Sequence, residues 1–144
     1  MKILMAASEA IPYAKTGGLA DMVSALSQAL ARQGHEVRLV LPRYYGINKD
    51  ELELEALEGP MGVPMGGGEE WSEVFTGFLH GKSKKNPVRV YFIDHENFFG
   101  RDGVYGVPSE PDFLDNPRRF TIFLPWGISA LQKDQLVSGC AACP

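Results

Sequence analysis

The chain has 144 residues, 44% of them hydrophobic, which is enough for one core, and no apolar run approaches the roughly 20 residues that span a bilayer. A net charge of −4 argues against nucleic acid as the main partner. Two cysteines imply no disulfide framework, and Glu9 and Pro12 interrupt the apolar start too early for a signal peptide, so the sequence reads as a cytoplasmic domain with no membrane partner.

In chain order, residues 2–7 read as a buried first strand, and Ser8-Glu9-Ala10-Ile11-Pro12-Tyr13 as a loop broken by Pro12. Lys15-Thr16-Gly17-Gly18-Leu19-Ala20-Asp21 then joins that strand to a helix on which Leu19, Met22, Val23, Leu26 and Leu30 share a face, and Gly34 stands where the helix stops. Unpaired amides and the positive dipole end of such a helix attract an anion, Lys15 adds a full charge, and two residues without Cβ atoms admit close approach. The competing reading gives Gly17 and Gly18 only the strand-to-helix turn. A dinucleotide fold would show G-x-G-x-x-G here and an acidic residue closing the second strand, but that strand, residues 37–41, runs into Pro42-Arg43.

Residues 46–70 read as an irregular acidic excursion on the surface, given Gly59-Pro60, Gly62, Pro64 and Gly66-Gly67-Gly68. Two strands follow at 72–80 and 88–94, the second more apolar and so more central, joined by a turn at 82–87. Gly81-Lys82-Ser83 lacks the first glycine of a P-loop and reads as part of that solvated turn. His80 and His95 have no second ligand at metal spacing, so neither a metal nor a cofactor is expected.

Taken together, Ser8-Glu9, the segment from Lys15 to Asp21, Gly34-His35-Glu36-Val37 with Leu41-Pro42-Arg43-Tyr44, and Tyr91-Phe92-Ile93-Asp94 resemble the amino-terminal part of bacterial and plant glycogen and starch synthases. Phe98-Phe99-Gly100-Arg101, Val104-Tyr105-Gly106 and Asp115-Asn116 with Arg119-Phe120 extend the likeness, the last pair resembling the start of a helix. The resemblance covers residues 1–123 and implies a Rossmann-like α/β amino-terminal domain of a two-domain GT-B glycosyltransferase.

What it further implies is transfer of glucose from ADP-glucose, or UDP-glucose, to the non-reducing end of an α-1,4-glucan with retention and without a metal. Lys15, Gly17 and Gly18 would hold the donor's phosphates, and Glu9 and Asp21 match polar positions of the family's cleft. Asp21 also reads as a first-turn carboxylate stabilising its own helix. Arg101 and Tyr105 are weaker candidates for the glucan side.

Residues 124–144 depart from the family, whose members continue into a serine-containing helix and a strand ending in a P-D-V-x-H-x-H type motif. Codons can be chosen for this tail so that dropping one base yields a segment ending S-P-D-V-Q-H-A, which makes a frameshift the expected origin and Cys140-x-x-Cys143 accidental. The chain is then an incomplete glycosyltransferase, inactive alone; the alternative is a freestanding sugar- or phosphate-binding module without catalysis.

Overall fold

The computed structural model describes residues 1–57, 59–79 and 85–140. In chain order the elements are β1 (Lys2–Ala6), α1 (Gly18–Arg32), β2 (Glu36–Pro42), β3 (Glu55–Ala56), β4 (Met61–Met65), β5 (Gly68–Phe78), β6 (Arg89–Asp94), α2 (Glu96–Phe99) and α3 (Asn116–Cys140). They build one sheet of order β1-β2-β6-β5-β3, with β4 paired to β5 off that path. β1, β2 and β6 run parallel; β5 runs antiparallel to β6, and β3 and β4 run antiparallel to β5.

β6 is the central strand, and its Val90-Tyr91-Phe92-Ile93 run is buried throughout, as expected where a parallel strand is covered on both faces. The sequence placed this strand and its centrality correctly. β2 contributes Val37, Leu39, Val40 and Leu41 to the same core. Parallel neighbours bring the carboxyl ends of β1, β2 and β6 to one edge, where loops 7–17 and 43–54 and helix α2 begin.

Three expectations change. β1 is not a buried strand: it lies at the end of the sheet with β2 as its neighbour, and alternate residues Lys2, Leu4 and Ala6 are exposed. On α1 the face toward the core is Ala20, Val23, Ser24, Ser27 and Ala31, while Leu19, Met22 and Leu26 are exposed. Small residues let the helix sit close, and both serines spend their hydroxyls internally, Ser24 on Ile11 O at 3.0 Å and Ser27 on Val23 O at 2.7 Å. The helix does stop as expected, with Gln33 at its cap and Gly34 at φ +88°.

The segment expected to be an irregular excursion contains β3 and β4. β4 pairs with β5 in register from Met61↔Ser72 to Met65↔Gly68, and its Met61 and Val63 are buried. Gly66 and Gly67, at φ +50° and +132°, form the two-residue turn between them, a conformation that glycine adopts without strain. The turn at Gly81-Lys82-Ser83, His80 and the Cys143 half of the cysteine pair lie outside the described residues.

α3 crosses residue 123 without a break and carries Pro125 inside it. Trp126 and Ala130 are fully buried, and Gly127 lies so close to Val40 that a Cβ there would stand 2.9 Å from its Cγ1. Earlier in the helix, Arg119 is fully buried with its guanidinium centre 5.1–5.3 Å from the ring centroids of Phe99, Phe113 and Phe120. Among the described residues, no helix is long and apolar enough to cross a membrane.

Candidate functional site

The loop after β1 turns back before entering α1, and side chains from across the sheet hold it. Ile11 N donates to Ser24 Oγ at 2.8 Å, Tyr44 Oη donates to Ser8 O at 2.9 Å, and Tyr13 Oη donates to Phe78 O at 2.8 Å. Ser8 Oγ lies 2.6 Å from Tyr105 Oη, on the loop before α3. Residues far apart in sequence thus converge on Ser8-Glu9, which is what a preorganised site requires.

Glu9 is 2% exposed, and its carboxylate accepts from Thr16 N at 2.5 Å, Thr16 Oγ1 at 2.7 Å and Gly17 N at 3.4 Å. Burial alone would raise its pKa, but the Thr16 donors, Tyr105 and the Gly17 amide outweigh burial and hold it below the ordinary glutamate value. The carboxylate is therefore ionised at neutral pH and acts from beneath the loop, fixing the backbone of residues 16–17. Burial, and secondarily the Glu9 charge beside it, raises the Tyr105 phenol, which stays protonated as a donor.

Gly17 caps α1 in an extended conformation and supplies no side-chain cap, and Gly18 is the first helical residue. A Cβ built on either glycine meets nothing within 4 Å, and neither takes a positive φ. Packing and backbone strain therefore give no reason for glycine at these positions; the space that side chains would fill is left open above the helix amino terminus. Lys15, two residues before Gly17, pairs across the helix start with Asp21, its Nζ 2.8 Å from Asp21 Oδ2, both side chains about half exposed. An exposed pair of this kind contributes about 0–1 kcal/mol, so a multiply charged anion can displace Asp21 from Lys15.

All five sequence-derived residues, Glu9, Lys15, Gly17, Gly18 and Asp21, fall on this one loop and helix start. Tyr105 joins them through Ser8 and Glu9. Arg101 does not: its guanidinium grips Asp115 with bonds of 3.1 Å and 2.6 Å and lies 4.9 Å from the Phe113 ring centroid, which locks it into the loop's own structure. Its flank does line an adjacent cavity of about 270 Å³, together with Tyr13, Tyr44, Tyr45 and Asp102. Tyr44 entered the sequence reading only as part of the family resemblance, without a site role, and Tyr45 did not enter it; the adjacent aromatic pair after β2 was the available signal.

The depressed carboxylates give stability a definite pH dependence. Glu9 is held low as described, and Asp115 is held low chiefly by its bonds from Arg101. A carboxyl whose folded pKa lies below its unfolded one stabilises the fold fully above the unfolded value and loses that contribution as pH falls through the folded value. The urea midpoint of the chain is expected to fall between about pH 5 and pH 2, and Glu9→Gln to flatten part of that fall while lowering stability at neutral pH. Equal pH slopes for wild type and Glu9→Gln would refute the assignment.

The family described as "Starch synthase catalytic domain" matches residues 2–138. The glycogen synthase of Treponema denticola is 52% identical over 122 residues, 85% of this chain and 24% of the relative; glycogen synthase 1 of Geobacter metallireducens is 48% identical over 134 residues, 92% and 26%. Among solved structures, the catalytic domain of starch synthase IV from Arabidopsis thaliana bound to ADP and acarbose aligns with a TM-score of 0.69 at 31% identity, covering 96% of this chain and 25% of that one. The chain thus spans about a quarter of the length of the relatives it matches.

Proposed function

This chain belongs to the glycogen and starch synthase family of GT-B glycosyltransferases, and from that premise we propose that it forms the part of a retaining glucosyltransferase that receives the donor's diphosphate and faces the glucan. The reaction moves glucose from ADP-glucose, or UDP-glucose, to the non-reducing end of an α-1,4-glucan. The observation that carries this reading is the open space over Gly17 and Gly18, on a backbone that Glu9 holds in place, with the Lys15–Asp21 pair on the same loop and helix start.

The chemistry follows from where charge develops. As the bond from glucose to the diphosphate breaks, negative charge grows on the departing oxygens, and the α1 amino terminus with the Lys15 ammonium offers it fixed positive potential. Glu9 serves as a positioning residue: its three acceptor contacts keep the amides of residues 16 and 17 from turning toward the ligand space, and its own charge stays beneath the loop. Asp21 holds Lys15 when no anion is present. Tyr44, Tyr45 and Tyr13 line the neighbouring cavity with amphipathic rings suited to a sugar chain.

The remaining three quarters of the relatives' length would supply the nucleotide pocket, so the chain alone is expected to be inert. Purified chain with ADP-glucose carrying labelled glucose should leave glycogen unlabelled, whereas addition of the remainder of the Treponema denticola relative should produce label that α-amylase releases. Labelling by the chain alone would contradict the incomplete-enzyme reading. A second reading is a freestanding sugar- or phosphate-binding module, favoured by the bonds from Ser24, Glu9 and Tyr44 that already shape the loop. Sequencing the gene through the codons for residues 120–144 tests the proposed single-base origin of the tail.

A further inference from the structure

Two serines lie on the buried face of α1, Ser24 and Ser27, and their hydroxyls go to different places. A serine buried within a helix ordinarily bonds back to a carbonyl one turn earlier, and Ser27 does so, donating to Val23 O at 2.7 Å. Ser24 reaches out of its helix to the loop. Its Oγ accepts from Ile11 N at 2.8 Å and donates to Ile11 O at 3.0 Å, so one hydroxyl takes both backbone polar groups of one loop residue. Alanine is the better helix former and brings no polar atom to be satisfied, so α1 itself gives no reason for serine at position 24.

The turn around Ile11 explains the need for an outside partner. Tyr13 N and Ala14 N both donate to Ala10 O, at 2.9 Å and 3.0 Å, so that turn closes on residue 10. The amide and carbonyl of Ile11 find their partner in Ser24. These two bonds close residues 11–24 into a loop fastened at its base, with Lys15, Thr16, Gly17 and Gly18 in the middle of its sequence. Glu9 holds the same segment at a second point, through Thr16 and Gly17. A short segment fixed at two points keeps both its position and its tilt, whereas one fixed point leaves it free to pivot.

We propose that Ser24 is the positioning residue of the Lys15–Gly18 loop: by fastening Ile11 to α1 in both directions, it sets where Lys15 and the two glycines stand relative to the amino end of that helix. That the loop receives a diphosphate rests on the function proposed above; the hold of Ser24 on the loop rests on its own bonds. For the ligand the consequence is preorganisation. A loop already in its binding geometry loses little freedom when an anion arrives, and a loop that must first be ordered binds more weakly by that difference.

Hydrogen exchange followed by NMR, together with calorimetry using inorganic pyrophosphate, tests this on the chain as it exists. In Ser24→Ala the amides of Ile11, Thr16 and Gly17 are expected to exchange roughly tenfold faster than in wild type, and pyrophosphate to bind about fivefold more weakly. Ser27→Ala is the matched control, since it removes the same atom from the same helix face, where the hydroxyl meets Val23 O and Met5 Sδ rather than the loop. Its exchange at residues 11, 16 and 17 and its pyrophosphate affinity should stay within about twofold of wild type. Serines that only stabilise the fold would affect the two variants alike. Acceleration confined to Ile11, equal effects of the two substitutions, or wild-type pyrophosphate affinity in Ser24→Ala overturns the proposal. If the wild-type chain binds no pyrophosphate while the exchange contrast holds, the proposed function falls and the hold of Ser24 on the loop stands.

Discussion

Lys15→Ala in a chimaera carrying this chain on the remainder of the Treponema denticola relative is expected to lower kcat by roughly tenfold to a thousandfold, which corresponds to about 2–4 kcal/mol of lost transition-state stabilisation. The reason is local. Lys15 lies two residues before Gly17 on the loop that leads into α1, and its ground-state partner is an exposed carboxylate that holds it weakly. Because α1 is anchored through Ser24 to Ile11 and through Ser27 to Met5, removing the ammonium should leave the circular dichroism spectrum and melting temperature unchanged within about 2 °C. Unaltered kcat and KM would return the loop to a purely structural role.

Arg119→Ala is expected to have the largest effect on stability. Its Nε donates to Phe98 O at 2.6 Å, and its Nη1 donates to Val104 O at 3.1 Å and Asn116 Oδ1 at 2.6 Å, all within a shell of three phenylalanine rings. Truncation leaves acceptors unmatched and opens a cavity among the rings, at a combined loss of about 3–5 kcal/mol. For a domain of this size that is a fall in melting temperature of roughly 10 °C or more. Arg119→Lys should recover little, since an ammonium cannot span the separated acceptors as a planar fork does. A loss under about 3 °C for Arg119→Ala would show that the surrounding rings, rather than the guanidinium, hold this part of the fold.

The sequence made the parallel strands, the helix start at Gly18, its stop at Gly34 and the β5–β6 pairing legible because each has a local signature. Apolar runs and glycine punctuation sit where the backbone needs them. The β4–β5 hairpin was hidden by the same residues that build it: Gly62 and Pro64 look like breakers, yet one makes room for the Trp71 ring and the other stands in a strand paired on one side by β5. The orientation of α1 was misread because hydrophobicity favours leucine and methionine, whereas close packing favoured alanine and serine. The five loop residues were legible as a group from their spacing and resemblance. The burial of Glu9 beneath the loop, the pairing of Lys15 with Asp21 and the interior position of Arg119 were not, since each depends on chain segments brought together only by folding.

The candidate loop hangs from an outer strand of the described sheet. Among the described residues, β1 has one hydrogen-bonded neighbour and alternate residues in solvent, whereas β6 is paired on both sides and buried from Val90 to Ile93. Transient fraying of a sheet begins at such an end, and when β1 lifts, Ser8 and Glu9 are carried off with it. A molecule that grips residues 15–18 would therefore also fasten the strand behind them. By thermodynamic linkage, occupancy of the loop and closure of the sheet's outer strand rise and fall together, so a diphosphate would slow amide exchange in residues 2–6 that it never touches.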